Sequence, residues 1–544
     1  MKKRSILVFS LVVSALMSLN AQRYLTPQFS DITKSTTYYA QNFSVITLSV
    51  TGHTMRLPLS CDVYQPTGDT VSSRPLMIFL STSNFLPKKV RSNPLGDRTD
   101  SVAVEMCTRF AKLGYVTAAA DYRMGWNPIA AQQTDRIYGL INAAYRGIQD
   151  ARSAVRFFKE NAATYKIDTT RIMIMGEGTG GYIALGTAAF DKYSEIVTTK
   201  YPQGKFVVST PNGAIPMVIE AYNGDVNGAR PDTTTRSPAG YPYPVGDSLF
   251  TPNWGRHTSN HRLTVNMGGA LGDITWLDSL STPLISIACP HDQNAPYHDG
   301  VLGVGVGGGV TLPVVRVQGS YWVSQKADSL GINSVFKKVS PAYDPYKGLS
   351  RTRHDARYYL DSFNTYRDTA NRLVGSGYAS GLFPIIGRSK NDSAPYQWWS
   401  TDTNYITNPY GRDSAALANN PGMSGAKARL YLDSIMQFIV PRACLGLDLK
   451  PCAGIVSSTR EVLALDAYLK LAPNPATDEV RFESEEINPM RSIELYDMSG
   501  RLVVKQDNIN LSNYTLPRNG LTRGMYVAKV RFDSGVLAKK LMFE

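Results

Sequence analysis

The stretch Arg171-Ile-Met-Ile-Met-Gly176-Glu177-Gly178-Thr179-Gly180-Gly181-Tyr182 decides the fold. An apolar run ends in a glycine-rich turn, and a small-residue segment suited to helix follows it (Ile183-Ala-Leu-Gly-Thr-Ala-Ala). This is the strand–turn–helix layout of a nucleophile elbow, G-x-S-x-G, in which a sharp turn lifts a serine above the edge of a sheet. Here Gly178 stands in the serine position. A glycine has no side-chain atom that can attack a substrate.

Outward from the elbow, buried strands alternate with helical patterns. Pro75-Leu-Met-Ile-Phe-Leu80, Gly114-Tyr-Val-Thr-Ala-Ala-Ala120, Leu263-Thr-Val-Asn-Met-Gly268 and Pro283-Leu-Ile-Ser-Ile-Ala288 are continuous apolar runs bounded by turn formers. Residues 101–113 and 145–161 carry helical periodicity, as does the late segment 426–439. The alternation predicts a doubly wound, mostly parallel α/β sheet. Residues from about 190 to 262 are rich in Pro, Gly, Asn and Tyr and read as an insertion over the carboxyl ends of the strands. Residues 343–422 also read as irregular, and Gly303 to Gly309 as a flexible loop without the Gly-Lys-Ser/Thr ending of a phosphate-binding loop.

The chain has 544 residues, which implies more than one domain. Its net charge of +13 is scattered, with no basic run interleaved with aromatics, so nucleic acid is not an expected partner. Met1-Lys-Lys-Arg4, an apolar run from Ile6 to Leu16 and Leu19-Asn20-Ala21 compose a signal peptide over residues 1–21. No later stretch reaches the ~18 apolar residues of a membrane span. Of five cysteines, Cys444 and Cys452 are near enough in sequence to pair, and no zinc-ligand spacing is present. After a linker over 451–470, short alternating strands and turns from Leu471 predict a small antiparallel β-sandwich over 471–544.

Two parts of the chain resemble known families. Asp62-Val-Tyr-Gln-Pro66, Asp121-Tyr-Arg-Met-Gly-Trp126, Gln149-Asp-Ala-Arg-Ser-Ala-Val-Arg156, the elbow, Gly269-Ala-Leu-Gly-Asp273 and Asp292-Gln-Asn-Ala-Pro-Tyr297 make residues 22–450 similar to a carboxylesterase-like α/β-hydrolase. Pro473-Asn-Pro475, Leu495 to Val503, Gly524 to Val530 and the late Lys539 and Lys540 make the tail similar to a type IX secretion sorting domain. That resemblance implies partnership with the export machinery and a place outside a Gram-negative cell, secreted or on its surface. Asp-Ser/Thr-apolar triplets, such as those beginning at Asp69, Asp100, Asp247, Asp278, Asp328, Asp392 and Asp413, resemble O-glycosylation acceptors, although Asp and Ser in such positions also cap helices.

The hydrolase resemblance implies four catalytic parts: nucleophile, acid, base and oxyanion donors. Asp292 fills the acid slot and Gly178 the nucleophile slot. Thr179 and Thr82 stand at the oxyanion positions, where Ser81-Thr-Ser-Asn-Phe85 replaces the family's His-Gly-Gly-x-Phe. The segment expected to carry the base, Asn419 to Ala426, has no histidine, which leaves His354, placed early for that role, as a weak candidate. Thr179 as a substitute nucleophile, Glu177 as a catalytic carboxylate and a metal site from His291, Asp292, His298 and Asp299 are minor options. The expectation is a degenerate site that recognises a glycan, peptide or surface protein without cofactor, metal or turnover. The aromatics at Tyr241, Tyr243, Tyr396 to Trp399, Tyr405 and Tyr410 would line its groove or, alternatively, anchor the loops that carry them. An active ester or peptide hydrolase with a displaced nucleophile is the first alternative, and a structural surface protein the second.

Overall fold

The computed structural model describes residues 23–210, 213–235, 244–290, 292, 294–305, 310–340, 343–344, 379–385, 393–402, 410–450, 452, 455, 469–484, 489–532 and 535–544. The expected signal peptide, most of the linker, and His291, His354, Tyr241, Tyr243 and Tyr405 lie outside them. The chain divides into two compact units. One comprises Met1–Lys337 and Ser350–Cys452, the other Lys338–Leu349 and Ala453–Glu544.

The first unit is built on an eight-stranded sheet. Its strands are β1 (Ile32–Ser44), β2 (Met55–Pro66), β3 (Arg74–Leu80), β4 (Val116–Ala120), β5 (Ile167–Glu177), β8 (Leu263–Met267), β9 (Leu284–Ala288) and β12 (Leu382–Pro384). Two short hairpins intervene in the chain, β6 (Val207–Thr210) with β7 (Gly213–Pro216), and β10 (Asp299–Gly305) with β11 (Thr311–Gln318). The sheet order is β1-β2-β4-β3-β5-β8-β9-β12. β1 and β2 pair antiparallel with each other, as do β2 and β4, and every pairing from β4 onward is parallel. This is the α/β-hydrolase sheet. β3, β4, β8 and β9 are buried at every position, because helices cover both faces.

The helix Gln133–Glu160 explains why a core element carries so many polar residues. Arg146, Gln149, Asp150, Arg152 and Arg156 are all buried on it. Asp150 accepts the Arg123 backbone N–H at 2.8 Å and its Nε–H at 2.9 Å. Arg152 and Arg156 donate to the carbonyls of Val226, Asn227 and Gly228. The helix thus supplies the backbone of irregular segments with the partners that a buried loop otherwise lacks.

The insertion was expected over the strand ends, and the structure divides it. Residues 223–228 and 249–254 instead run along this helix and edge strand β1, where Trp254 Nε1 donates to the Tyr39 carbonyl at 2.6 Å. Two further expectations are corrected. Gly303 to Gly305 belong to β10, so that part of the glycine run is strand. The irregular region 343–422 contains β12, which extends the sheet beside β9.

The second unit contains a three-stranded sheet, β13 (Lys470–Ala472), β14 (Glu479–Glu483) and β17 (Asn513–Pro517). It also contains a four-stranded one, β15 (Met490–Asp497), β16 (Leu502–Leu511), β18 (Gly524–Phe532) and β19 (Gly535–Phe543). All pairings are antiparallel, and inward residues of both sheets, such as Phe482, Leu516, Ile493 and Val530, share one core. This is the expected β-sandwich. Cys444 and Cys452 form a disulfide, and the other three cysteines are buried outside any disulfide. Among the described residues, no helix is long and apolar enough to cross a membrane. Of the Asp-Ser/Thr triplets, Asp413 caps the helix Ser414–Ala418, accepting the Ala416 N–H at 2.7 Å, and Asp278 closes its own turn.

Candidate functional site

The parallel strands deliver Thr82, Gly178, Gly268 and Asp292 to one end of the sheet, the usual place for a site in this architecture. The elbow keeps its backbone. Gly178 sits at φ +52° and ψ −118°, its N–H donating to the Met267 carbonyl at 2.7 Å, and the helix Thr179–Ala189 begins at once. A Cβ on Gly180 would strike the Leu80 backbone, so the close approach of helix to sheet requires glycine there.

What surrounds the elbow has changed. A Cβ at position 178 would meet Thr82 Cβ at 2.8 Å, with Thr82 Oγ1 nearer still. The space a nucleophile side chain would use is therefore filled by Thr82. The Thr82 backbone N–H is also engaged, since it hydrogen-bonds the Glu177 carboxyl. Thr179 Oγ1 accepts the Ser83 N–H at 2.7 Å and lies 2.9 Å from the Tyr122 hydroxyl. Ser83 Oγ is 2.7 Å from the same hydroxyl, which donates to the Ser81 carbonyl. This buried hydroxyl network ties the loop 81–85 to the helix start. It also commits two backbone donors, Thr82 and Ser83, that an oxyanion hole would need to present outward.

The acid and base side has been refilled. Asp292 Oδ1 accepts the Asn294 and Ala295 N–H groups at 2.7 and 3.2 Å. Burial pushes its carboxyl up to about 7. Among the described residues no histidine pairs with it. Tyr396 lies there instead: its hydroxyl and Asp292 Oδ2 are 3.2 and 3.3 Å from the point a Cβ on Gly268 would occupy. The neighbouring Gln397 donates from Nε2 to Glu177 Oε1 at 2.5 Å. Glu177 is 1% exposed, and burial pushes it up to about 8. The segment where a base was expected holds this strap down: Asn420 Nδ2 donates to the Gln397 carbonyl at 2.8 Å, and Lys427 Nζ to Asn420 Oδ1 at 2.8 Å.

Tyr396 and Trp399 were expected to line a groove, but both are buried, and Trp399 Nε1 donates to the Gly411 carbonyl. They anchor the strap. Of the proposed metal set, His298 packs between the rings of Tyr297 and Tyr321, and no cluster of three potential metal ligands forms among the described residues. Sequence reasoning missed a cavity of about 580 Å³ beside the elbow, reached by Thr179, Tyr182 and Asn294 and walled by aromatic and aliphatic side chains. The β10–β11 hairpin, read as loop, supplies part of that wall.

Residues 61–226 match the family described as BD-FAE, an esterase-like domain. Residues 470–544 match the secretion system C-terminal sorting domain. The tail is a type IX sorting domain. It places the protein at the cell surface or outside the cell of a Gram-negative Bacteroidetes bacterium. Similar solved structures include Thermogutta terrifontis esterase 2 phosphorylated by paraoxon, at 15% identity over 48% of this chain and 73% of that one, TM-score 0.28. The native form of that esterase is 14% identical over 48% and 72%, TM-score 0.27. No curated protein sequence matches the chain at a significant level.

Proposed function

We propose that the esterase-like domain is a surface-displayed binding module that holds a ligand beside a retired elbow without turning it over. The observation that carries this reading is the double use of Thr82. Its side chain fills the space over Gly178, and its amide serves Glu177. Restoring a serine alone would therefore leave it without room, without an amide from residue 82 and, among the described residues, without a histidine on Asp292. Such parts act as a unit, and losing any one typically lowers the rate by several orders of magnitude. The open cavity supports binding over a purely structural role, since a domain that only packs against a partner has no need of an apolar pocket this large.

The test is hydrolysis of short activated esters by the full chain, with Asp292→Asn and Glu177→Gln alongside. Rates equal to buffer for all three proteins are expected. A saturable rate that falls in either variant would overturn the reading and place a working base at the strap.

A further inference from the structure

The cavity beside the elbow contains a charge that the chain does not neutralise. Trp126, Ile148, Phe190, Leu302 and Val315 form apolar walls, and Arg91 reaches the same space. One Arg91 guanidinium nitrogen donates to the Leu95 carbonyl at 2.8 Å, while its Nε is buried with no hydrogen-bond partner. Among the described residues Arg91 has no ion pair. The acid that acts on it is taken: Asp100 forms an ion pair with Lys88 Nζ at 2.7 Å and accepts the N–H groups of Gly96 and Asp97 at 2.7 and 3.1 Å. Lys88 is likewise occupied, by Asp100 and by Asp97 at 2.9 Å. Burial pushes the Arg91 guanidinium down to about 10, and the attraction of Asp100, shared with Lys88, offsets it only in part. A desolvated, unpaired cation is costly, and a ligand anion that pairs with it recovers that cost on binding.

We propose that this cavity binds a monocarboxylate with a flat apolar body, its carboxylate paired with the Arg91 guanidinium. The proposal rests on the non-catalytic reading above, because a free acid is a ligand here and not a product. One guanidinium without an ion-pair partner matches one negative charge, and its planar fork, of which a single nitrogen is held by the Leu95 carbonyl, suits a carboxylate. A phosphate would need a second cation, and Lys88 is committed. The surrounding walls bury an aromatic-sized body with few polar groups to satisfy.

The test is calorimetric titration of the full chain with 2-naphthoate and with its neutral isostere 2-naphthamide, repeated on Arg91→Gln and Ala144→Phe. Ala144 lines the cavity from the helix Gln133–Glu160, a different element from that of Arg91, so its enlargement fills space without removing the charge. The acid is expected to bind at least about tenfold tighter than the amide. Arg91→Gln is expected to abolish that preference, and Ala144→Phe to weaken both ligands. Equal affinity for acid and amide, a preference that survives in Arg91→Gln, or no binding of the acid at ~1 mM overturns the proposal. Methyl 2-naphthoate separates the two readings. Its hydrolysis above the buffer rate overturns the non-catalytic reading, while the acid–amide comparison independently decides the role of Arg91.

Discussion

Two buried carboxyl groups in the first unit sit in opposite electrostatic settings. Asp150 is fully buried against the Arg123 guanidinium and accepts the Arg123 amide as well. Glu177 is almost as buried, yet its partners are neutral, the Gln397 side chain and the Thr82 amide. The first carboxylate is installed with its counter-charge and holds the 121–126 turn to the long helix. The second is kept protonated by burial, as is its neighbour Asp292 up to about 7. Where the fold needed charge, the chain supplied a complete pair. At the strand ends, where a hydrolase would stabilise a developing histidinium, the partners of Glu177 and Asp292 among the described residues are neutral.

The sharpest way to expose this contrast is to remove Asp150. Asp150→Ala leaves Arg123 buried and uncompensated, and a loss of about 3–5 kcal/mol is expected from chemical denaturation. The next test concerns the neutral site. Glu177 keeps its proton in the folded protein up to about pH 8, whereas the unfolded side chain releases it near its ordinary value of 4.5. The folded state therefore binds more protons across that window, and stability falls as pH rises through it. Asp292 adds the same sign between 3.8 and about 7. Denaturant midpoints should drop from about pH 5 to about pH 9. Glu177→Gln should flatten that slope and exceed the parent at the alkaline end by on the order of 2–4 kcal/mol. A variant with the parent's slope would show that Glu177 is charged and paired as Asp150 is.

The smallest expected effect is at the elbow. Gly178→Ser meets Thr82 and a positive φ, and should cost about 1–3 kcal/mol. Adding Thr82→Gly should restore part of that stability. Neither protein should gain ester hydrolysis, because no histidine among the described residues pairs with Asp292.

How far the sequence spoke follows from which interactions are local. The elbow and the four apolar strands were legible, since strand, turn and helix are contiguous there and glycine spacing records the close packing. β12 was not, because three residues (Leu382–Pro384) carry no period. β10 was hidden by glycines that weaken any strand pattern. The strap was invisible for another reason: Gln397 meets Glu177 across 220 positions, so no local signal announces it. Arg91 shows the limit of charge counting. Lys88, Lys89 and Arg91 stand near Asp97 and Asp100 in sequence, and only the folded arrangement gives both aspartates to Lys88. The groove assigned to Tyr396 and Trp399 failed because aromatic clusters mark buried anchors as readily as open surfaces.

The most direct test of a retired site is exposure of the full chain to a fluorophosphonate, which forms a covalent adduct with any serine activated by a base, wherever it lies. Intact-mass analysis should show no adduct under conditions that fully label a working serine hydrolase. A stoichiometric adduct on one serine, lost in Asp292→Asn, would contradict the account and identify a displaced nucleophile.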